Sequence, residues 1–255
     1  MEFGAITGYV DLAQVILYLF WLFFAGLIFY LVREGHREGY PMVSDSLGPA
    51  VIKGWPVPPP KTYKLANGGS VTVPDLSKRE PALAARVLGA SPGSPIEPTG
   101  NAMIDGVGPG AYANRADVPD VTGEGETRIV PLRADTAYGV SKNDPDPRGR
   151  PVIGGDGKPG GVVRDLWIDR SEMLFRYLEV ETPVPGGTRR VLLPVPFARI
   201  RRDQVEVNSI YGHQFAAVPG LKHPDRVTLL EEDRISAYYG GGTLYADPKR
   251  GEPIL

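Results

Sequence analysis

The stretch that decides the fold is LAQVILYLFWLFFAGLIFYLV, residues 12–32. It contains no charged residue, and Gln14 is its only strongly polar one. As an α-helix these 21 residues would reach about 31 Å, which matches a bilayer hydrocarbon core of about 30 Å. The sequence therefore predicts one transmembrane helix near the N-terminus, with nearly everything after it forming a water-soluble domain.

The charges beside this stretch predict its orientation. Residues 1–11 contain no Lys or Arg, whereas a cleaved signal peptide has a positive N-terminal region and a shorter apolar core. Arg33 and Arg37 follow the apolar stretch directly. By the positive-inside rule we expect residues 1–11 to be periplasmic and the main domain to be cytoplasmic.

The composition excludes several classes of protein. The chain has no cysteine, so disulfides, cysteine-ligated zinc, iron–sulfur clusters and thiol catalysis are excluded. Its 28 basic and 30 acidic residues leave a net charge of −2, without the basic excess that a nucleic-acid-binding protein needs. The 32 Gly and 26 Pro predict many turns, while a hydrophobic content of 42% suffices for one sizeable core.

Residues 33–125 are predicted to be an extended juxtamembrane and surface segment. The run Pro58–Pro60 favours polyproline geometry, and Lys61–Pro74 has the pattern of a small hairpin. Ser77–Glu80 has capping-box spacing before an Ala/Leu-rich stretch, which predicts a short helix ending near Gly89.

The second part of this segment, residues 89–125, is rich in Gly, Pro, Asn and Asp and is predicted to be irregular. A loop of this length is unusual inside a compact domain. We therefore expect it to lie along the surface of another protein.

Residues 126–255 are predicted to form a mostly β domain with a C-terminal helix. Short apolar runs separated by turns favour a small antiparallel barrel or sandwich. The runs are Ile129–Leu132, Val152–Ile153, Val162–Ile168, Phe175–Val180, Arg190–Pro194 and Val205–Val207. Thr228-Leu-Leu-Glu231 is a capping box, and the helix it begins is expected to end near Tyr239, before Gly240–Gly242.

Three short motifs are similar to functional patterns but fail as such sites. Gly155–Gly160 has the spacing of a dinucleotide fingerprint, but a β-type run follows it instead of a helix. Gly89–Gly93 matches the letters of a nucleophile elbow but lies in a Pro-rich loop. Asp144–Gly155 lacks the carboxylate that a calcium loop needs at its twelfth position. None of them predicts an active site.

A set of carboxylates remains as the candidate for chemistry, namely Asp117, Asp120, Glu124, Glu126, Asp169 and Glu172. They are either a solvated turn face or a proton relay. Carboxylates a few ångströms apart raise one another's pKa, so some of them could be protonated near neutral pH. The residues alone leave both interpretations open.

Several motifs resemble one known family along nearly the whole chain. They are Arg37-Glu-Gly-Tyr-Pro41, Pro98-Thr-Gly-Asn101, Asp105-Gly-Val-Gly-Pro109, Asp165-Leu-Trp-Ile-Asp-Arg-Ser-Glu172, Arg176-Tyr-Leu-Glu179 and Leu229–Tyr239 with Gly241–Ala246. In this order they resemble the H subunit of the purple-bacterial photosynthetic reaction centre. The resemblance implies a cytoplasmic β-barrel of the PRC type that caps the two pigment-binding subunits, shields the secondary quinone and delivers protons to it.

The resemblance also implies roles for individual residues. The proton-path acids of the family match Asp169 and Glu172, and Arg176 matches a nearby basic position. The proton-uptake region of the family matches Asp120 to Glu126. Some members carry two histidines where this chain has Glu124 and Glu126, and glutamate ionises at a lower pH than histidine. We also expect Arg33, Arg37 and Tyr40 to contact lipid or partner subunits.

The implied partners are the two pigment-binding subunits, with a cytochrome subunit, a light-harvesting ring and membrane lipids as further candidates, and no nucleic acid. This chain alone is expected to bind no cofactor, while its partners carry bacteriochlorophyll, bacteriopheophytin, quinones and non-haem iron. The expected location is a bacterial inner or intracytoplasmic membrane. The alternatives are a membrane-anchored PRC-barrel adaptor or assembly factor, and an anchored enzyme, for which no catalytic set is present.

Overall fold

The computed structural model describes residues 6–7, 11–40, 42–44, 50–52, 56–66, 68–75, 83–91 and 93–251. By their contacts these residues form two compact units. The membrane-proximal unit is drawn from residues 1–81 and 89–95, and the β unit from residues 82–88 and 96–255. By contact, the β unit thus begins earlier in the chain than residue 126, the predicted start of the β domain.

The membrane-proximal unit begins with helix α1, Leu12–Gly35. Asp11 caps it, because its carboxylate accepts a hydrogen bond from the backbone N–H of Gln14 at 2.7 Å and the Gln14 side chain accepts one from Asp11 in return. The helix has the length and composition to cross a membrane, and none of its side chains is buried. The predicted apolar helix is therefore confirmed, and it continues three residues past Val32.

Two small hairpins follow α1 in this unit. Strands β1, Met42–Ser44, and β2, Ala50–Ile52, pair antiparallel, and so do β3, Lys61–Lys64, and β4, Ser70–Val73. The second pair confirms the predicted hairpin. Its turn is closed by a hydrogen bond of 2.8 Å from the N–H of Leu65 to the carbonyl of Gly69.

The prediction of a short helix ending near Gly89 is wrong for residues 85–87. Residues 85–87 form strand β5, Ala85–Val87, which pairs with β6, Ile96–Pro98, in the β unit. Arg86 and Glu97 stand opposite each other in this register, with a side-chain hydrogen bond of 2.7 Å. A cross-strand partner thus overrides the local helix preference of Ala and Leu. The capping motif Ser77–Glu80 lies outside the described residues.

The centre of the β unit is a seven-stranded sheet with the order β11-β10-β9-β8-β13-β12, and with β7 also paired to β9. The strands are β7 Ile129–Pro131, β8 Pro151–Gly154, β9 Pro159–Asp169, β10 Leu174–Val184, β11 Gly187–Pro194, β12 Arg199–Ile200 and β13 Val205–Val207. All six predicted apolar runs lie on these strands, except that Leu132 falls just past the end of β7. Every pair is antiparallel except β8 with β13, which is parallel.

The hydrophobic core of the β unit packs against the C-terminal end of β9, where the consecutive side chains from Leu166 to Asp169 are all buried. Most of them are apolar, and the largest is Trp167, which is fully buried. Asp169 is the exception, with an exposed fraction of 0%. Burying a carboxylate costs free energy unless it is paired and hydrogen-bonded, so the surroundings of Asp169 must supply those bonds.

Helix α2, Leu229–Tyr245, closes the β unit. Thr228 caps it as predicted, accepting a hydrogen bond from the N–H of Glu231. The predicted end at Tyr239 is wrong, because Gly240–Gly242 lie inside the helix. A Cβ atom on Gly242 would be 2.5 Å from the carbonyl oxygen of Ser209, and one on Gly240 would be 2.8 Å from that of Pro109. These glycines therefore permit close backbone packing and do not terminate the helix.

Part of the segment 89–125, between residues 107 and 119, packs on this same helix. Val107 and Gly110 are buried, and the Cα of Gly110 would be 3.2 Å from a Cβ built on Gly241. Pro119 forms an isolated bridge with Thr228. Within the segment 89–125, which was predicted to be irregular, residues 96–98 instead form strand β6, and Gly110 and Pro119 contact residues of this same chain.

Candidate functional site

The site begins at the turn between β9 and β10. Asp169 ends β9, and its carboxylate accepts hydrogen bonds from the backbone N–H groups of Ser171 at 2.9 Å and Glu172 at 3.0 Å. Met173 closes the turn with φ of +54°, and its N–H donates to the carbonyl of Asp169. The turn therefore places Glu172 beside the buried Asp169 carboxylate.

Arg128 joins this turn to the segment before β7. Its Nε donates to both carboxylate oxygens of Asp169, at 3.0 and 3.1 Å. Nη1 donates to Asp120 at 3.0 Å and Nη2 to Glu172 at 2.6 Å. The contact arises because β7 pairs with β9 so that Ile129 lies opposite Asp169.

Arg176, on β10, completes the site. Its Nε donates to Asp169 at 3.2 Å, and its Nη2 lies 2.8 Å from Glu172. We call Asp120, Arg128, Asp169, Glu172 and Arg176 the Arg128 cluster. It holds three carboxylates and two guanidinium groups, and only Asp169 is fully buried.

The electrostatics of Asp169 differ from the sequence expectation of mutually raised carboxyl pKa values. Burial raises the pKa of Asp169, but the hydrogen bonds from Arg128, the backbone of Glu172 and Arg176 lower it by more, so the net direction is downward. In turn, the hydrogen bond to Asp169 is the main cause that raises the pKa of Arg128. Asp169 is therefore a permanent anion near neutral pH.

Glu232 is a carboxylate beside the Arg128 cluster that the sequence analysis missed. It lies in the first turn of α2, and the hydroxyl of Tyr177 donates to its Oε2 at 2.7 Å. Burial raises the pKa of Glu232, with a further contribution from Asp120, and the hydrogen bond from Tyr177 and the charge of Arg176 offset this only in part. Burial thus favours the protonated form of Glu232 relative to that of an exposed glutamate.

An open groove of about 410 Å³ gives access to this side of the cluster. Its lining includes Arg176, Tyr177 and Glu232, together with Arg115 and Asp233. The Glu232 carboxyl, whose pKa is raised, thus faces a solvent-accessible groove. No pattern in the sequence distinguishes it from the other acidic residues that favour the start of a helix.

Glu124 and Glu126 lie outside the Arg128 cluster. They are exposed on the hairpin turn that leads from Asp120 to Arg128, where the N–H of Thr122 donates to the carbonyl of Glu126 at 2.8 Å. Arg170 donates to the Glu126 side chain at 3.2 Å. Both glutamates line a separate depression of about 480 Å³ that also includes Arg170 and Ser171.

Asp117, the remaining candidate carboxylate, stabilises α2. The hydroxyl of Thr228 donates to Asp117 at 2.9 Å, and Lys222 forms an ion pair with it. The hydrogen bond from Lys222 is the main cause that lowers the pKa of Asp117. These contacts hold Thr228, the N-cap residue of α2, in place.

The three residues expected at a lipid or partner interface lie in the membrane-proximal unit. Arg37 is engaged within the chain, donating to Glu34 at 2.6 Å and to the carbonyl of Pro59 at 2.8 Å. The ring of Tyr40 lies 4.6 Å from that of His36, and Arg33 is half-buried in the last turn of α1.

Two protein-family models match this chain. Residues 4–134, just over half of the chain, match the model described as photosynthetic reaction centre, H-chain N-terminal region. Residues 140–214, which include β8 to β13, match the PRC-barrel domain. The Arg128 cluster takes Asp120 and Arg128 from the first match and Asp169, Glu172 and Arg176 from the second.

Proposed function

Because the chain belongs to the photosynthetic reaction centre H-chain family, we propose that its β unit caps the cytoplasmic face of the pigment-binding subunits, stabilises the secondary quinone site and conducts protons to the reduced quinone. The H-chain family consists of reaction centre subunits, so this chain associates with the other subunits of that complex, and α1 is suited to anchor it in a membrane.

The observation that supports this role is the buried Asp169 held between Arg128 and Arg176. A permanent anion with two guanidinium partners fixes the positions of neighbouring carboxylates, as proton transfer over hydrogen-bond distances requires. Glu172, which is hydrogen-bonded to Arg128, is about two-fifths exposed. It is therefore available to a partner surface that docks on the cluster.

In the proposed path the carboxylates have different roles. Glu124, Glu126 and Asp120 take up protons at the surface. Glu172 and Glu232 pass them on, and Asp169 holds the arginines in place. Glu232 supports this division because the pKa of its carboxyl is raised.

The partners and location follow from the same proposal. The two pigment-binding subunits would carry the bacteriochlorophyll, bacteriopheophytin, quinones and non-haem iron. A cytochrome subunit, a light-harvesting ring and membrane lipids are further neighbours. The N-terminus would be periplasmic and the β unit cytoplasmic, in a bacterial inner or intracytoplasmic membrane, because Arg33 and Arg37 follow α1.

Flash kinetics on the assembled complex test the proton path. We expect Asp169→Asn with Glu172→Gln to slow the proton-coupled second electron transfer to the quinone by about 100-fold, a size typical of losing a positioned proton-transfer group. The first electron transfer should be nearly unchanged. A double variant with both rates equal to wild type contradicts the proposal.

Two further variants separate function from folding. Asp146→Asn with Glu181→Gln removes the same two charges from ion pairs outside the cluster, those with Arg148 and Arg164, and should leave both rates unchanged. Glu172→Gln alone keeps the buried Asp169 intact and should still slow the second transfer.

The alternative function is a membrane-anchored adaptor or assembly factor. Purification from membranes in mild detergent separates the two. Recovery in a fixed ratio with bacteriochlorophyll-bearing subunits supports the reaction centre assignment, whereas a colourless, solitary chain would exclude it.

A further inference from the structure

The β3–β4 hairpin has one mostly apolar face, called the apolar face below although it includes Lys61, and one polar face. Strand register places Tyr63 opposite Val71 and Lys61 opposite Val73, and side chains alternate between faces along each strand. Tyr63, Val71, Lys61 and Val73 therefore share one face. The other face carries Thr62, Lys64, Ser70 and Thr72, where the Thr62 and Thr72 hydroxyls lie 2.8 Å apart.

The apolar face is exposed within the membrane-proximal unit. Tyr63 is 40% exposed and Val71 is 44% exposed, and Leu65, just past the strand, is 43% exposed. A cross-strand aromatic and β-branched pair normally contributes to stability by packing. Here the pair is open to its surroundings, which indicates a surface made for contact outside this unit.

Contacts with the end of α1 place the base of the hairpin close to the membrane edge. Arg37, two residues past the helix, donates to the carbonyls of Pro59 and Val73. Beside it, Nδ1 of His36 lies 2.7 Å from the carbonyl oxygen of Pro56. These bonds hold both ends of the hairpin at a point that α1 fixes at the end of its apolar stretch.

The hairpin is short enough to remain near that edge. Four residues of strand extend about 14 Å, so even its tip lies within about two Debye lengths of the headgroup region at physiological ionic strength. Lys61 and Lys64 are both exposed, and residues 56–74 contain no Asp or Glu. The Lys61 ammonium lies 5.1 Å from the centre of the Tyr63 ring, on the apolar face.

From this geometry we propose that the apolar face of the β3–β4 hairpin docks on the bilayer surface as an interfacial element and that its lysines bind anionic lipid headgroups. Tyrosine suits this position because its ring is apolar and its hydroxyl is polar. Val71 and Leu65 enter the acyl boundary, and Lys61 and Lys64 reach phosphate groups. The hairpin thereby fixes the direction in which the chain leaves the membrane.

The chain has no native cysteine, so an introduced cysteine is the single thiol of this chain, and it can be labelled with a nitroxide on the purified chain before the complex is assembled. We would label Val71→Cys and, as the matched control on the polar face, Thr72→Cys, and then assemble the complex in lipid nanodiscs containing phosphatidylglycerol. Electron paramagnetic resonance then measures accessibility to oxygen, which concentrates in lipid, and to a nickel chelate, which stays in water. The proposal expects the label at 71 to favour oxygen and the label at 72 to favour nickel.

Two outcomes at position 71 would overturn the proposal. Access to nickel equal to that at position 72 places the apolar face in water. Protection from both reagents places it against a partner protein.

A charge variant tests the headgroup contact. Each lysine near an anionic surface should favour the docked state by about fivefold, so Lys61→Gln with Lys64→Gln in the Val71→Cys chain should shift the docking equilibrium by about 25-fold. The oxygen preference should then fall to that seen in discs of phosphatidylcholine alone. An unchanged preference overturns the proposal, and the electron-transfer rates serve as an independent readout of the reaction centre function.

Discussion

Arg128 donates hydrogen bonds from Nε to both oxygens of Asp169, a carboxylate that is completely buried and 41 residues away in the chain. Its two Nη atoms reach Asp120 and Glu172. One side chain thus connects the segment before β7 to the turn between β9 and β10. The stability of that turn and the charge of Asp169 both depend on it.

Replacing Arg128 should destabilise the β unit. Arg128→Gln leaves Asp169 buried with Arg176 as its remaining cation, and breaking a buried ion pair costs about 3 kcal/mol. Since the Arg128 side chain is one-quarter exposed, we expect about 2 kcal/mol after solvent screening. Denaturant unfolding of the detergent-solubilised chain measures this. Arg148→Gln, which removes an exposed pair with Asp146, is the control and should cost less than about 1 kcal/mol.

Asp169 should make the β unit sensitive to acid. Its folded-state pKa is lowered relative to an unfolded value of about 3.9. Its contribution to stability is therefore present above that value and is lost as the pH falls towards the folded pKa. Melting temperatures between pH 7 and pH 2.5 should fall less steeply in Asp169→Asn than in wild type. Parallel curves would show that Asp169 is not the group responsible.

Glu232 should have the opposite effect on the way stability changes with pH. Its pKa is raised in the folded state, so stability present below the unfolded value of about 4.3 is lost as the pH rises through the folded pKa. Glu232→Gln keeps an acceptor for the Tyr177 hydroxyl but cannot ionise. The variant should therefore lack the downward contribution to the melting temperature that Glu232 makes in wild type as the pH rises above about 4. Glu181→Gln, on β10, is the control and should retain it.

The glycines inside α2 should not tolerate alanine, although alanine favours helices. Gly242→Ala would place a Cβ atom 2.5 Å from both the Ser209 carbonyl oxygen and Cγ2 of Ile210. Overpacking of this kind costs about 1–3 kcal/mol. Gly139→Ala, where a Cβ would meet nothing within 4 Å, is the control and should be close to neutral in the same unfolding assay. A stabilised Gly242→Ala chain would contradict the packing.

Features that depend on neighbouring residues could be predicted from the sequence. Helix α1 follows from an uninterrupted apolar stretch, and the start of α2 follows from the capping box at Thr228, because both signals lie within a few residues of the element they specify. The apolar runs likewise located the strands of the main sheet. The motifs that resemble reaction centre H chains indicated the family, which the two family matches confirm.

Tertiary structure decided the features that depend on residues distant in the chain. Residues 85–87 form a strand because residues 96–98 pair with them, and α2 continues through its glycines because other backbone segments pack against them. The same holds for the charge of Asp169, which depends on Arg128 and therefore on the register of β7 against β9. The sequence alone determined an anchored β protein and most of the acids of its candidate site. The folded chain decided that Asp169 is held as an anion and that the pKa of Glu232, a residue the sequence did not single out, is raised, because burial and arginine contacts exist only after the strands have paired.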